Sequence, residues 1–315
     1  VSVYCTLEMG IVYGKYVHGD MRNILYRTTH APNWNGKGYT LYDETMDDSL
    51  RKAERLRHKL VNCVKEGMRG FEVYYQPIVD AKSDRWVGVE ALCRWCPYGG
   101  ESVPPSVFIP EVERLGLVGE MDEWVRETAL IQCMEWGLHR RRFFLEASLS
   151  PLQPVSSEFI DFFLAVLDRL GYPKDKLTLE ITESAKMTFS EENLEGLRRL
   201  RGNGVTLALD DFGTGYSTFE NLVKLPAGVL KTERLFIQSL EHDGYAQYLM
   251  RVIVDIAHTV GMILIAEGVE TEAQKDLLRA YGVDYLQGYL YAKPMPAEEF
   301  AKWLHEFADL EEFVL

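Results

Sequence analysis

The sequence has few cysteines, no long apolar run and too little positive charge for a general nucleic-acid binder. Five cysteines in 315 residues are a sparse and odd set, which argues against a disulfide framework and favours a reducing cytoplasm. Cys93 and Cys96 have C-x-x-C spacing, but no second pair or histidine follows at zinc-ligand spacing, so we interpret them as ordinary thiols. The 34 basic and 48 acidic residues give a net charge of −14, which excludes a protein that binds polymeric DNA or RNA through its charge.

No segment approaches the ~18 uninterrupted apolar residues that a membrane helix needs. The most apolar stretch, residues 252–266, is interrupted by Asp255 and His258. The first residues also lack the basic region of a secretory signal peptide. We therefore expect a cytoplasmic chain without membrane contact of its own. Because the sequence begins with Val1 rather than Met, segments outside it could tether the whole protein to a membrane.

The composition, 47% hydrophobic and 26% charged, is that of a globular protein with a large core. Residues 1–44 hold one apolar run and a turn-rich stretch, too little to bury a core alone. Residues 45–66 are highly charged and carry apolar side chains at helical spacing, which predicts an amphipathic connecting helix. We expect three regions: residues 1–44, a linker helix within 45–69, and a domain over 70–315.

From residue 71 onward, strand-like runs alternate with helical patterns. The predicted strands are residues 71–78, 86–93, 143–149, 177–182, 205–209, 228–231, 262–266 and 285–290. The predicted helices include residues 120–136, 158–170, 193–201, 245–260, 272–280 and 297–307. This alternation, with eight strands over roughly 245 residues, predicts an α/β fold, a TIM-like (β/α)8 barrel. Only a short turn separates the first two strands, so we expect one antiparallel pair; an open, doubly wound sheet is the alternative.

Acidic residues lie at or near the ends of predicted strands, on the side where the active site of such a barrel lies. These residues are Glu90, Glu180, Glu183, Asp210, Asp211 and Glu267, and Lys231 ends another strand. Carboxylates crowded at one mouth repel each other unless a cation neutralises them. Oxygen ligands suit Mg²⁺ or Mn²⁺, and no histidine stands beside these acids to suit zinc. The plainer alternative is that the acids cap helices and form salt bridges.

Six segments in order resemble the EAL family of cyclic-di-GMP phosphodiesterases. They are residues 75–78 (YQPI), 90–95 (EALCRW), 179–184 (LEITES), 210–217 (DDFGTGYS), 266–271 (AEGVET) and 287–290 (QGYL). The resemblance spans residues 70 to about 310. It implies a barrel that binds cyclic di-GMP and, with two Mg²⁺ or Mn²⁺ ions, hydrolyses one phosphodiester to linear pGpG.

The resemblance also implies a role for each matched residue. Four acids would bind the metals: Glu90, Glu180, Asp210 and Asp211. Glu267 would contact a metal or take the proton of the attacking water, and Lys231 would hold that water. Gln287 would support the second metal, Arg94 and Gln76 would hold phosphate and guanine, and Glu183 would brace the loop over residues 211–217. In this family the loop is tied to dimer contacts, which favours a homodimer.

Two positions depart from the family pattern. Ser148 stands where the family has an asparagine metal ligand, and Glu233 stands where it has an aspartate beside the second metal. Both changes put metal affinity and turnover in doubt. The alternative function is therefore a weakened receptor that binds the dinucleotide without hydrolysing it, and a third is a protein-interaction module without a ligand.

Residues 1–44 resemble, more weakly, the end of a GGDEF domain, which commonly precedes an EAL domain. The GGDEF signature motif is absent from the sequence, so the resemblance implies no cyclase activity. It implies that a GGDEF or sensory domain lies upstream in the full protein. An unrelated N-terminal arm is the alternative.

Overall fold

The computed structural model describes residues 9–11, 39–41, 44–182, 190–213, 222 and 224–308. The chain divides into two compact units, Val1–Lys65 and Glu66–Leu315. In the first unit, strand β1 (Met9–Ile11) pairs in parallel with β2 (Tyr39–Leu41), and helix α1 spans Glu44–Lys65. Helix α1 matches the predicted connecting helix. The GGDEF-like resemblance concerns residues that lie mostly outside the described ranges and, like the region boundaries, stays a prediction.

The second unit is a closed barrel of eight strands. The strands are β3 (Phe71–Asp80), β4 (Trp86–Trp95), β5 (Phe144–Ser148), β6 (Leu177–Thr182), β7 (Thr206–Phe212), β8 (Val229–Thr232), β9 (Ile263–Glu267) and β10 (Tyr285–Gln287). Neighbours pair in chain order, and β10 pairs with β3 to close the ring, which excludes the open sheet. A short strand, β11 (Met295–Pro296), is bonded to β3 outside the barrel.

Helices surround the barrel in the order expected for βα units. They are α2 (Pro105–Arg114), α3 (Val118–Glu135), α4 (Ser157–Leu170), α5 (Glu191–Gly202), α6 (Arg234–Ser239), α7 (Gly244–Thr259), α8 (Glu272–Tyr281) and α9 (Ala297–Ala308). None of the helices in the described part of the chain has the length and apolarity to cross a membrane.

The antiparallel first pair predicted from the sequence is confirmed. Strand β3 pairs antiparallel with β4 from Phe71 opposite Trp95 to Val79 opposite Trp86. Because β3 is reversed against the seven other strands, its pairing with β10 is antiparallel as well. The carboxyl ends of β4 to β10 and the beginning of β3 therefore meet at one mouth.

Local sequence explains where the helices begin and end. The side chain of Ser156 accepts a hydrogen bond from the amide of Phe159 at the start of α4. Thr271 and Gln274 form a reciprocal capping box at the start of α8, just after β9 leaves the mouth. These caps fix the loops that carry the site residues.

The bottom of the barrel interior is apolar. Ile78, Ala208, Val229 and Ile265 form a buried cluster, and the half-buried Phe144 packs against it. Above this layer the inward side chains become charged. The core thus supports a polar mouth on an apolar floor.

Candidate active site

The mouth is organised around Lys231, whose side chain is fully buried. Its Nζ lies 2.7 Å from Glu267 Oε1, 3.2 Å from Glu146 Oε2 and 3.8 Å from Glu90 Oε1. It also contacts the carboxylate of Glu180 directly. One ammonium therefore faces four carboxylates, which come from four different strands.

This crowding shifts the ionisation of the acids. The pKa values of Glu90, Glu180 and Glu267 all lie above the ordinary glutamate value, chiefly because burial disfavours the charged form. The ammonium of Lys231 opposes this rise, and neighbouring carboxylates such as Asp210 add to it. Burial lowers the pKa of Lys231, but the surrounding carboxylates outweigh burial and hold it well above its usual range. Without a further cation, full ionisation of these acids is therefore disfavoured.

A bulge in β7 brings two adjacent aspartates to the same place. The pairing with β8 shifts between Leu209 and Phe212, so that Asp210 and Asp211 together stand opposite the single residue Lys231. In a regular strand, adjacent side chains point to opposite faces. The bulge removes that alternation, which is how both carboxylates come to lie near the mouth.

The backbone at the end of β7 is unusual in the same region. Asp211 has a φ of 57°, a left-handed conformation that non-glycine residues adopt rarely. Its pKa is raised to about 6 by burial and by the charges of Asp210 and Glu233. Gly213 has a φ of 108°, and a Cβ there would lie 2.3 Å from the ring of Phe236. The departure of the chain from β7 therefore requires glycine at this position.

Two glutamines tie opposite sides of the mouth together. Gln287 Nε2 donates to Glu90 Oε2 at 2.5 Å and to Gln76 Oε1 at 3.2 Å. Gln76 Nε2 donates in turn to the carbonyl of Ala292 at 3.1 Å. The amide oxygen of Gln287 is buried and accepts no hydrogen bond within the described ranges. That oxygen is free to face a ligand.

A cleft of about 230 Å³ opens beside these glutamines. Arg94 lines it and is half-buried, with its guanidinium 5.5 Å from the ring centre of Tyr74 and its Nη1 donating to the carbonyl of Cys93 at 2.8 Å. The cleft is bordered by Gln76, Glu90, Leu92, Arg94, Arg234, Glu267, Gly268, Glu270, Gln287, Gly288, Tyr289 and Pro294.

The far wall of the cleft was not predicted from the sequence. Arg234 Nη2 pairs with Glu270 Oε1 at 2.5 Å, and its guanidinium lies 5.5 Å from the ring centre of Tyr289. Lys293 Nζ lies 5.3 Å from the same ring. Tyr289 belongs to the QGYL motif, so its place two residues after Gln287 in the sequence could have indicated that it lines the cleft.

Ser148 ends β5 directly beside Glu180 of β6, and it is exposed. Arg126 Nη1, from α3, donates to the carbonyl of Ser148 at 2.9 Å. Asp122 Oδ2 lies 3.7 Å from Arg126 Nη1 and accepts the amide of Ser150 at 2.8 Å. A buried ion pair that was not predicted from the sequence therefore fixes the backbone from the carbonyl of Ser148 to the amide of Ser150.

The structure thus brings Lys231, both glutamines and five of the predicted acids to one mouth, with Arg94 on its wall; these acids are Glu90, Glu180, Asp210, Asp211 and Glu267. The predicted position of Glu90 near the end of its strand is wrong, because Glu90 lies in the middle of β4. Strand β4 continues to Trp95 along β3, but β5 stops pairing with it at Ala91. Glu183 lies outside the described residues, so its role stays a prediction.

The donor set fits a hard divalent ion, although the acids do not converge on a single point. Within the described ranges, no three acidic, histidine or cysteine side chains form a ready metal site, and the ammonium of Lys231 lies among the carboxylates instead. Carboxylate and amide oxygens are nonetheless the ligands that Mg²⁺ and Mn²⁺ prefer. The free amide oxygen of Gln287 agrees with a cation at this mouth.

Comparison with known proteins agrees with this geometry, since the family model described as "EAL domain" matches residues 55–294. The chain belongs to the EAL domain family. Proteins of this family hydrolyse cyclic di-GMP and generally depend on divalent metal. The resemblance found in the sequence is confirmed at the level of the family.

One relative is the bifunctional diguanylate cyclase/cyclic di-GMP phosphodiesterase MucR of Pseudomonas aeruginosa, 35% identical over 91% of this chain and 42% of that protein. The chain spans about two fifths of the length of this relative and of a second curated relative, from Azorhizobium caulinodans. The solved PaMucR phosphodiesterase in complex with c-di-GMP is 38% identical and has a TM-score of 0.71, covering 78% of this chain and 99% of that one. The EAL enzyme Bd1971, bound to cAMP and cyclic di-GMP, is 27% identical with a TM-score of 0.75, covering 81% and 70%.

Proposed function

We propose that this chain hydrolyses cyclic di-GMP to linear pGpG, with water as the nucleophile and Mg²⁺ or Mn²⁺ as cofactor. The observation that carries the proposal is the set of carboxylates around Lys231 at the mouth of an EAL barrel. So many acids in one place destabilise the folded chain through like-charge repulsion. A hydrolase that binds cations has a use for them.

We assign the two metal ions to Glu90, Glu180, Asp210 and Asp211, with Ser148 at the edge of the site. The bulge in β7 supports this assignment because it places the adjacent Asp210 and Asp211 together at the mouth, where both would be available to hold cations. When bound, such ions supply a nucleophilic water at neutral pH and stabilise the charge on the reacting phosphate oxygens.

Lys231 and Glu267 are the residues we assign to the attacking water. The ammonium of Lys231 can donate a hydrogen bond to the water oxygen and so orient it toward phosphorus. Glu267 Oε1 lies 2.7 Å from that ammonium and can accept the proton that the water loses. Burial raises the pKa of Glu267, which makes this carboxylate a stronger proton acceptor than an exposed glutamate.

The cleft supplies groups suited to a dinucleotide. Arg94 can pair with a phosphate in bidentate geometry, as guanidinium groups commonly do. Tyr289 is 48% exposed and offers an aromatic face on which a base can stack. Gln76 and Gln287 can donate and accept hydrogen bonds at a guanine edge or beside a metal.

The second candidate function is a cyclic-di-GMP receptor without turnover. Ser148 and Glu233 favour it, since a hydroxyl is a poorer ligand than an amide carbonyl and Glu233 extends its charge by one methylene. The charge of Glu233 reaches Asp211, whose pKa it raises. The second candidate thus differs from the first in metal affinity rather than in substrate.

Turnover of cyclic di-GMP, measured by chromatography of the products with Mg²⁺, with Mn²⁺ and with EDTA, separates the two. We expect linear pGpG to form only with metal. Glu90→Gln should abolish the product, and Glu123→Gln, which removes the same charge from an exposed site on α3, should leave it unchanged. Tight dinucleotide binding without any metal-dependent product would establish the receptor, and no binding at all would refute both.

A further inference from the structure

Glu146 is a buried carboxylate that belongs neither to the proposed metal ligands nor to the residues proposed to act on the attacking water. It lies in β5, two residues before Ser148 on the same strand face and beside Glu90 in the register with β4. Its side chain is fully buried. Phe144, two residues earlier, packs against the apolar floor of the barrel, so Glu146 lies in the lowest charged layer. Ionisable side chains are rarely buried completely unless they are paired.

Among the described residues, Lys231 is the only charged group at ion-pair distance from Glu146. The Oε2 atom of Glu146 lies 3.2 Å from Lys231 Nζ. Neither of its carboxylate oxygens accepts a hydrogen bond from any residue in the described ranges. Glu146 is therefore paired by charge alone, and its pairing depends on where that ammonium lies.

The other partners of Lys231 have a second use. Glu90 and Glu180 are assigned to the metals, and Glu267 to the attacking water. Once cations draw these carboxylates away, a fully buried ammonium is left near positive charge. An uncompensated buried charge is strongly destabilising. Glu146, in the deepest position, is the carboxylate that can stay.

We propose that Glu146 is a positioning residue, the counter-ion that remains with Lys231 and so frees Glu90 and Glu180 to bind metal. The inference rests on the proposed function. Glu146 acts through Lys231 and touches neither substrate nor metal. Its removal therefore weakens metal binding only while Lys231 is present.

The test is Mn²⁺ binding by isothermal titration calorimetry without dinucleotide, combined with thermal unfolding with and without Mn²⁺. For Glu146→Gln we expect Mn²⁺ affinity to fall about 10-fold, the lower end of the effect of losing a partner that orients metal ligands. We expect no lower melting temperature in the metal-free state, where Lys231 keeps three other carboxylates. Glu146→Asp, which keeps the charge but shortens the side chain, should fall between, and Glu123→Gln should bind as the unaltered chain does.

The same substitution in a Lys231→Met background separates the alternatives. We expect Glu146→Gln to have no further effect there, because no ammonium remains to be held. A 10-fold loss that persists would make Glu146 a metal ligand and overturn the inference. A lower metal-free melting temperature with unchanged Mn²⁺ affinity would also overturn it, since Glu146 would then only stabilise the fold. Failure of the unaltered chain to bind Mn²⁺ would refute the proposed function itself, and the inference with it.

Discussion

Replacing Ser148 by asparagine is expected to strengthen divalent-metal binding about tenfold, within the ~10–100-fold range seen when partners of a metal site are lost. Ser148 is exposed at the mouth beside Glu180, so a longer side chain has room. Its backbone is already fixed, because Arg126 holds the Ser148 carbonyl at 2.9 Å. The gain should therefore come from the added amide oxygen and not from a change of the strand.

The size of the effect can be stated in two ways. A tenfold lower dissociation constant is about 1.4 kcal/mol of binding free energy. At saturating metal, the same amount appears as additional free energy of unfolding, since a ligand that binds only the folded state stabilises it. The two measurements should agree, which guards against an effect on turnover alone.

The assay is calorimetric titration with Mn²⁺ and with Mg²⁺, followed by the metal concentration that gives half-maximal turnover. Ser148→Ala is the matched control, because it removes the hydroxyl and adds no ligand. We expect it to bind metal no better than the unaltered chain. Equal metal dependence in Ser148→Asn, Ser148→Ala and the unaltered chain would show that this position does not contact the metal, and the reasoning would fail.

In the metal-free folded protein the pKa of Asp211 is about 6, against an ordinary value of 3.8. Between these two pH values the folded state binds more protons than the unfolded state, so the free energy of unfolding falls as pH rises through that range. In urea denaturation, Asp211→Asn should remove this fall in the free energy of unfolding, which amounts to less than about 3 kcal/mol because Asp211 is partly exposed. Gly288→Ala should lower the melting temperature, because its Cβ would lie 2.0 Å from the carbonyl of Val269; an unchanged melting temperature would contradict this. Arg126→Met should destabilise the chain by about 3–5 kcal/mol at pH 7, because Asp122 stays buried without its ion-pair partner and keeps only the hydrogen bond from the Ser150 amide. Since the pKa of Asp122 is already raised to about 6, urea denaturation at pH 5 should show a smaller loss.

Much of the barrel could be predicted because its strands are short apolar runs separated by helical patterns. Predicted strand 177–182 matches β6, and the other strand ends differ by a few residues. Helix α2 was not predicted, since it begins at Pro105 and contains Pro110, and prolines ordinarily indicate a break. Proline is tolerated in the first turn of a helix, where its missing amide has no partner to lose.

Spacing alone predicts the site residues that stand at strand ends, whereas residues within strands, such as Gln76 and Glu90, depended on the resemblance to the family. Asp210 and Glu267 follow apolar runs, so their positions at the mouth follow from the direction of parallel strands. Glu146 was missed because a buried acid within a strand looks like an exposed one until the partner strands are known. The bulge in β7 also leaves no local signal, because it depends on pairing with β8.

The reversed direction of β3 determines where the polypeptide enters the barrel. In a barrel of parallel strands only, the polypeptide enters at the end opposite the catalytic face. Here it enters at the rim of the catalytic face itself, where the carbonyl of Gly70 accepts the amide of Cys96 at 2.8 Å. Strand β3 therefore begins at the catalytic rim, and Gln76 lies six residues after Gly70 along it.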